Sequence, residues 1–230
     1  MALLRAAFLS PVIVPQLVWV RLRASRLPEA AGPREGQTGA GRALRVLVIG
    51  DSTAAGVGVE TQAEALAGQL SSDLARDHSV TWKLVARSGA IVPDLLEMLA
   101  GVEGSFDCAL ICQGVNDAKN GRLQPNFERE YASLLRTLSD RFGVRTIVCS
   151  GLPPMQFFTL LPRPLRDVLG ARAARFDRAI AGLADAHPGA QFLPMNFTDD
   201  VSLMASDGFH PGPRIYAMWA ERAAEMMRAG

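Results

Sequence analysis

The sequence predicts a three-layer α/β/α sandwich around a mainly parallel central sheet. Three observations lead there. From Leu44 onward, short runs rich in β-branched residues and leucine alternate with segments whose apolar residues recur at helical spacing, the pattern of strands joined by helices. The strand candidates are almost continuously apolar rather than alternating, as strands covered on both faces must be. Glycines and polar residues gather directly after those runs, at the carboxyl ends where open parallel sheets hold ligands.

The elements follow in order. Leu44 to Ile49 is a buried strand ending at Gly50, and Ala63, Leu66, Leu70 and Leu74 stripe a helix. Val80 to Ala86 is a second strand, Pro93 to Leu99 a short helix, and Phe106 to Cys112 a third strand. Phe127, Tyr131, Leu134, Leu138 and Phe142 trace one helix face before a fourth strand at Val144 to Cys149. Leu169, Ala173, Phe176, Ile180 and Leu183 mark the next helix, Gln191 to Leu193 a short strand, and Ile215, Trp219, Ala223 and Met226 a final helix. No internal repeat is visible.

Two segments precede this domain of residues 44–230. Residues 28–43 are rich in Gly, Pro and Ala without hydrophobic period, and are expected to be a linker. Residues 1–27 form an apolar, basic N-terminal segment. Fifteen uncharged residues separate Arg5 from Arg21; as a helix they would measure roughly 22 Å, short of a hydrocarbon core of about 30 Å. Pro11 and Pro15 would break or kink such a helix. Trp19 followed by Arg21, Arg23 and Arg26 has the character of an interfacial anchor. Peripheral membrane contact, packing on the domain, and a removed export signal are the three readings of this segment.

Composition narrows the function classes. The 230 residues carry 24 Lys and Arg against 23 Asp and Glu, a net charge of +1, which gives no whole-chain electrostatic case for nucleic acid binding. Residues 1–43 hold six arginines and two glutamates, so the remainder is slightly acidic. With 49% hydrophobic and 20% charged residues the chain can bury a full core, and global disorder is excluded. Cys108, Cys112 and Cys149 form no CxxC pair, which argues against a disulfide framework or a zinc site. As buried free thiols they favour a reducing, cytoplasmic setting for the domain of residues 44–230, membrane-associated or not, with an exported form as the alternative.

Four strand ends carry polar residues that can do chemistry. The first is Gly50-Asp51-Ser52-Thr53. A Ser there can present its hydroxyl above the sheet and aim its N–H at an oxyanion; it can equally cap a helix or belong to a Gly-rich turn. A phosphate cradle is disfavoured, because both the GxxxxGK[ST] lysine and the GxGxxG spacing are missing. The second is Arg87-Ser88-Gly89-Ala90, where Gly89 alone need only permit a turn. The third is Gln113-Gly114-Val115-Asn116-Asp117, where the Asn116 amide can donate to an oxyanion or serve ordinary turn chemistry. The fourth is Asp207-Gly208-Phe209-His210-Pro211. Asp207 can fold back to accept from His210 Nδ1, leaving Nε2 as proton acceptor. His78 and His187 sit in polar surroundings at helix ends and are expected to be solvated or capping.

With Gly50-Asp51-Ser52, Gly89, Gly114-x-Asn116-Asp117 and Asp207-x-x-His210 in that order, the region from about Leu44 to Arg228 resembles the SGNH hydrolase superfamily, the GDSL-type esterases and lipases. One departure lies two residues before Gly89, where many members carry Asn and this chain has Arg87. The resemblance implies an SGNH, flavodoxin-like sheet order and a carboxylic ester hydrolase with Ser52 as nucleophile, His210 as general base and Asp207 as its orienting carboxylate. It implies an oxyanion hole from the Ser52 and Gly89 N–H groups and the Asn116 side chain, with no metal or organic cofactor.

Residues 151–169, following the fourth strand, are more apolar than an exposed connector should be. Met155, Phe157 and Phe158 are therefore candidate substrate-binding residues of an acyl-chain wall or lid, with ordinary core packing as the competing explanation. Together with the apolar, basic N-terminus they point to a small acyl ester or lipid-like substrate, including lysophospholipids and thioesters. Carbohydrate O-deacetylation is the second reading, disfavoured by an aromatic content of 7%. A membrane-associated binding protein without catalysis is the third, disfavoured by intact Ser52, Asn116, Asp207 and His210.

Overall fold

The computed structural model describes residues 2–23, 27–155, 158, 160–196, 198 and 200–230. The elements in chain order are α1 (Ala2–Arg23), β1 (Glu35–Thr38), β2 (Arg42–Gly50), α2 (Leu66–Leu74), β3 (His78–Ala86), α3 (Val92–Ala100), β4 (Cys108–Cys112), α4 (Val115–Lys119), α5 (Gln124–Arg136), β5 (Thr146–Ser150), α6 (Leu165–Ala186), β6 (Ala190–Leu193) and α7 (Pro213–Ala229). Among the described residues, six strands form one sheet in the order β1-β3-β2-β4-β5-β6. All neighbours are parallel except β1, which runs antiparallel to β3.

The two faces of β2 show why the sheet is covered twice. Val46 and Val48 belong to the core under α2 and α7, whereas Leu47 and Ile49 belong to the core under α3, α5 and α6. All four are essentially buried, and each contributes about 1.5–3 kcal/mol relative to an exposed side chain. The sheet's middle is also where the chain reverses direction, since β3 lies on one side of β2 and β4 on the other. The loops after these strands splay apart there and open a crevice.

Phe127, Tyr131, Leu134, Leu138 and Phe142, the predicted stripe, lie on one helix face and are all buried. α5 continues past Arg136 into a π-helical turn, Thr137–Arg141. Cys108, Cys112 and Cys149 are buried free thiols.

Two expectations for the N-terminal region require correction. Residues 28–43 are not a free linker: Glu35–Thr38 is the sheet's edge strand, in register with Val80 to Lys83. Its sequence, EGQT, has no apolar alternation because one long edge and much of both faces meet water, and a charged, polar edge also resists strand addition by another chain. α1 is also continuous through Pro11 and Pro15. Both prolines are exposed, opposite the face (Ile13, Gln16, Val20) that docks on the domain. Gln16 Nε2 donates to the Arg163 carbonyl at 2.6 Å and Gln16 Oε1 accepts from Leu165 N at 3.1 Å. Ile13 and Val20 pack on a cluster containing Met155, Phe158, Leu161 and Leu165. No helix among the described residues is long and apolar enough to cross a membrane.

Candidate active site

Ser52 stands two residues beyond the end of β2, in a turn pinned to both neighbouring strands. Asp51 N donates to the Cys112 carbonyl at the end of β4 (3.2 Å), and Arg87 N, just beyond β3, donates to the Gly50 carbonyl (3.3 Å). Asp51 is buried and acts as acceptor: Oδ1 takes the Thr53 N–H at 3.1 Å and Oδ2 the Asn116 amide at 3.1 Å. Burial pushes its carboxyl up to about 6, against the lowering effects of the Thr53 N–H, His210 and Lys119.

His210 is brought to this turn from 158 residues away. Its Nε2 lies 3.0 Å from Ser52 Oγ and its Nδ1 2.5 Å from Asp207 Oδ2. Asp207 Oδ1 accepts the N–H groups of Phe209 (3.0 Å) and His210 (2.9 Å), so the Asp-x-x-His turn is closed on its own carboxylate. Burial works to raise the Asp207 carboxyl, but the hydrogen bonds from the His210 ring and the two backbone N–H groups outweigh it and hold the group ionised. The loop is seated by close backbone approach. Gly58 has φ +108, and a Cβ there would lie 2.3 Å from the Pro211 carbonyl oxygen. The Tyr216 hydroxyl, from α7, donates to the Val57 carbonyl at 2.7 Å.

Gly89 and Asn116 flank the Ser52 turn from either side, after β3 and β4. Gly89 adopts φ +82, and a Cβ at this position would meet nothing within 4 Å, so glycine answers a backbone requirement there, not a spatial one. Asn116, in the first turn of α4, is buried. Its amide donates both to Asp51 Oδ2 and to the Ala90 carbonyl, each at 3.1 Å. The motif resemblance gives this amide to an oxyanion; both its hydrogens have protein acceptors here, so such a role requires one of these bonds to be shared or exchanged. Gln113 Nε2 also holds the Ala90 carbonyl (2.8 Å) and Asp117 Oδ2 (2.8 Å), while Asp117 Oδ1 accepts from Val92 N (3.3 Å).

A crevice opens beside Ser52, walled by Phe158, Met195, Met204, Phe209, Ile215 and Trp219. Of the three loop residues expected to touch substrate, Phe158 lines it and packs against Phe209, with ring centroids 4.6 Å apart and planes inclined by 51°. Met155 shares with Phe158 the cluster on which α1 packs, and is not among the residues walling the crevice. Phe157 lies outside the described residues. Met195, Met204, Ile215 and Trp219 are wall residues that the sequence did not single out, and Trp219 and Ile215 carried only the signal of a core-facing helix stripe.

The remaining histidines lie elsewhere. His187 Nε2 pairs with Ser139 Oγ at 3.3 Å, at the amino end of β6, and His78 lies beside Asp77. Ser150, another serine at a strand's carboxyl end, is fully buried and accepts from Trp219 Nε1 at 2.9 Å. Ser150 and His187 are at opposite ends of the paired strands β5 and β6. Among the described residues, no group of three or more His, Cys, Asp or Glu side chains could hold a metal ion.

Comparison with known proteins agrees with this architecture. Residues 48–218 match the model of the GDSL-like lipase/acylhydrolase family. Over 193 residues, 77% of this chain, the sequence is 30% identical to the GDSL-like esterase Rv1075c of Mycobacterium tuberculosis, and it spans 60% of that relative's length. Phospholipase A1 from Streptomyces albidoflavus shares the fold at 15% identity and TM-score 0.60, over 79% of this chain and 98% of that one. An acetylxylan esterase from Geobacillus stearothermophilus does so at 16% identity and TM-score 0.59, over 82% and 95%. By its sequence match and its sheet, the chain belongs to the GDSL-like lipase/acylhydrolase family.

Proposed function

We propose that the protein is a serine hydrolase of carboxylic esters working through Ser52, His210 and Asp207. The observation that carries this reading is the continuous chain Ser52 Oγ, His210 Nε2, His210 Nδ1, Asp207 Oδ2, with links of 3.0 and 2.5 Å. His210 Nε2 takes the Ser52 proton as Oγ bonds to the ester carbonyl carbon, whose π electrons move to oxygen. Gly89 N–H, Ser52 N–H and an Asn116 N–H released from its present acceptor stabilise that oxyanion. Collapse breaks the carbon–oxygen bond, and His210 returns the proton to the leaving alcohol. Water, deprotonated by the same imidazole, adds to the acyl carbon, and collapse breaks the bond to Ser52 Oγ, which takes the proton back from His210. Asp207 remains an anion that fixes the tautomer and balances the imidazolium.

The apolar crevice supports an acyl chain as the group bound beside Ser52, with a lipid-like ester or thioester as substrate. The exposed face of α1 supports peripheral contact with a lipid surface: Val12, Val14, Val18, Trp19 and Leu22 are exposed, in a stretch of sequence that also carries Arg21, Arg23 and Arg26. The likeness to an acetylxylan esterase favours acetylated carbohydrate as the second reading. Labelling by a fluorophosphonate that disappears in Ser52→Ala tests catalysis against a binding role. A series of acetyl, butyryl and octanoyl p-nitrophenyl esters tests the substrate, because strict preference for acetyl removes the lipid reading.

A further inference from the structure

The segment between α1 and β1 touches both loops that meet at the nucleophile. On one side, Ala30 N donates to the Ala55 carbonyl at 3.2 Å, in the turn that follows Ser52. Gln62 Nε2 ties the Ala30 and Ala55 carbonyls together at 3.2 and 3.0 Å. On the other side, Glu29 Oε1 accepts the Ser88 N–H at 2.7 Å while Oε2 pairs with the Arg34 guanidinium. Arg34 Nη1 donates to the carbonyl of Ala86, the last residue of β3, at 2.6 Å, and the Arg34 carbonyl accepts from Leu84 N at 2.7 Å.

Ser88 is the residue before Gly89. With its N–H taken by Glu29 and the Ala90 carbonyl held by Gln113 and Asn116, the loop is gripped on both sides of Gly89. The Gly89 N–H itself has no acceptor among the described residues. A turn with φ +82 at its centre is one that a loosened loop can leave easily. Glu29 and Arg34 lie outside residues 48–218, the part matched to the family.

Building on the ester-hydrolase reading, we propose that Glu29, held by Arg34, is a positioning residue that fixes the Gly89 N–H relative to Ser52 in the oxyanion hole. Glu29 touches neither substrate nor the reacting atoms; it acts through the Ser88 peptide. Because misplacing a donor by about 1 Å can cost on the order of 100-fold in rate, its loss falls on kcat while substrate capture in the crevice is unaffected.

The test uses the full-length protein and p-nitrophenyl butyrate. Glu29→Gln keeps an oxygen for the Ser88 N–H and is expected to stay within about fivefold of the unsubstituted kcat. Glu29→Asp keeps the charge but falls one methylene short, and like Glu29→Ala it is expected to lose roughly 10- to 100-fold in kcat with KM within about twofold. Inactivation by a phosphonate, whose oxygen occupies the same hole, should slow in proportion. Should Glu29→Ala not fold, the Gln and Asp variants still decide. Unchanged kcat in Glu29→Asp, or rescue by Asp and not by Gln, overturns the proposal. Absence of Ser52-dependent hydrolysis in the unsubstituted protein overturns the esterase reading, and this inference with it.

Discussion

The side-chain amide of Asn116 donates to Asp51, the residue directly before Ser52, across the gap between the ends of β4 and β2. The proposed oxyanion donor and the proposed nucleophile are therefore parts of one buried polar unit, in which a shift of either moves the other. Asn116→Ala removes a donor and leaves an Asp51 oxygen unpaired. We expect kcat to fall by roughly 100- to 1000-fold, with a smaller change in KM, measured by steady-state hydrolysis of a short-chain ester.

The same unit makes stability depend on pH. Burial raises the Asp51 carboxyl from 3.8 to about 6 in the folded chain, so the folded state holds its proton where the unfolded state has lost it. The Asp51 contribution is complete below its unfolded value and is lost as pH rises through about 6; a shift of this size corresponds to roughly 3 kcal/mol. Asp51→Asn does not titrate. The difference in Tm, variant minus parent, should therefore climb by several degrees between about pH 4 and about pH 7 and then level. A pH-independent difference in melting scans would refute the assignment.

Asp207 faces His210 with one oxygen and two backbone N–H groups with the other. Asp207→Asn keeps an acceptor for the backbone and loses the anion that selects the tautomer. Turnover is expected to drop by on the order of 1000-fold or more, with Tm little changed by comparison. Parallel loss of both would mark Asp207 as a structural residue instead.

Phe158 is buried between Phe209 and the cluster beneath α1. Phe158→Ala should cost about 3–5 kcal/mol in urea unfolding and lengthen the preferred acyl chain in the p-nitrophenyl series. Loss of stability with an unchanged chain-length profile would make this wall core packing alone.

Val14, Val18 and Leu22 point away from the domain on α1, so replacing them with Ser leaves the docking face of Ile13, Gln16 and Val20 intact. The triple variant should lose co-sedimentation with anionic phospholipid vesicles and keep its activity on soluble esters. Equal sedimentation of parent and variant would remove membrane contact through this face.

Apart from the five-residue α4, read from the sequence as a polar strand end, the strand and helix succession from β2 to α7 was legible because each element there buries a face, and a buried face leaves an apolar period of its own. The Asp207-x-x-His210 turn was legible for a similar reason: its Asp–His and Asp–backbone bonds close within four residues. β1 was not, since an edge strand facing water needs no apolar pattern and exists only through its pairing with β3. The continuity of α1 depended on which way Pro11 and Pro15 face, and that is set by the cluster under Ile13 and Val20. The crevice wall, drawn from Phe158, Met195, Met204 and Trp219, is likewise a product of packing between distant segments, where an apolar side chain reads the same whether it meets a neighbour or a cavity. Residue types at strand ends pointed to candidate groups; only the tertiary fold could bring Ser52 and His210 to 3.0 Å, because no local interaction spans 158 residues of chain.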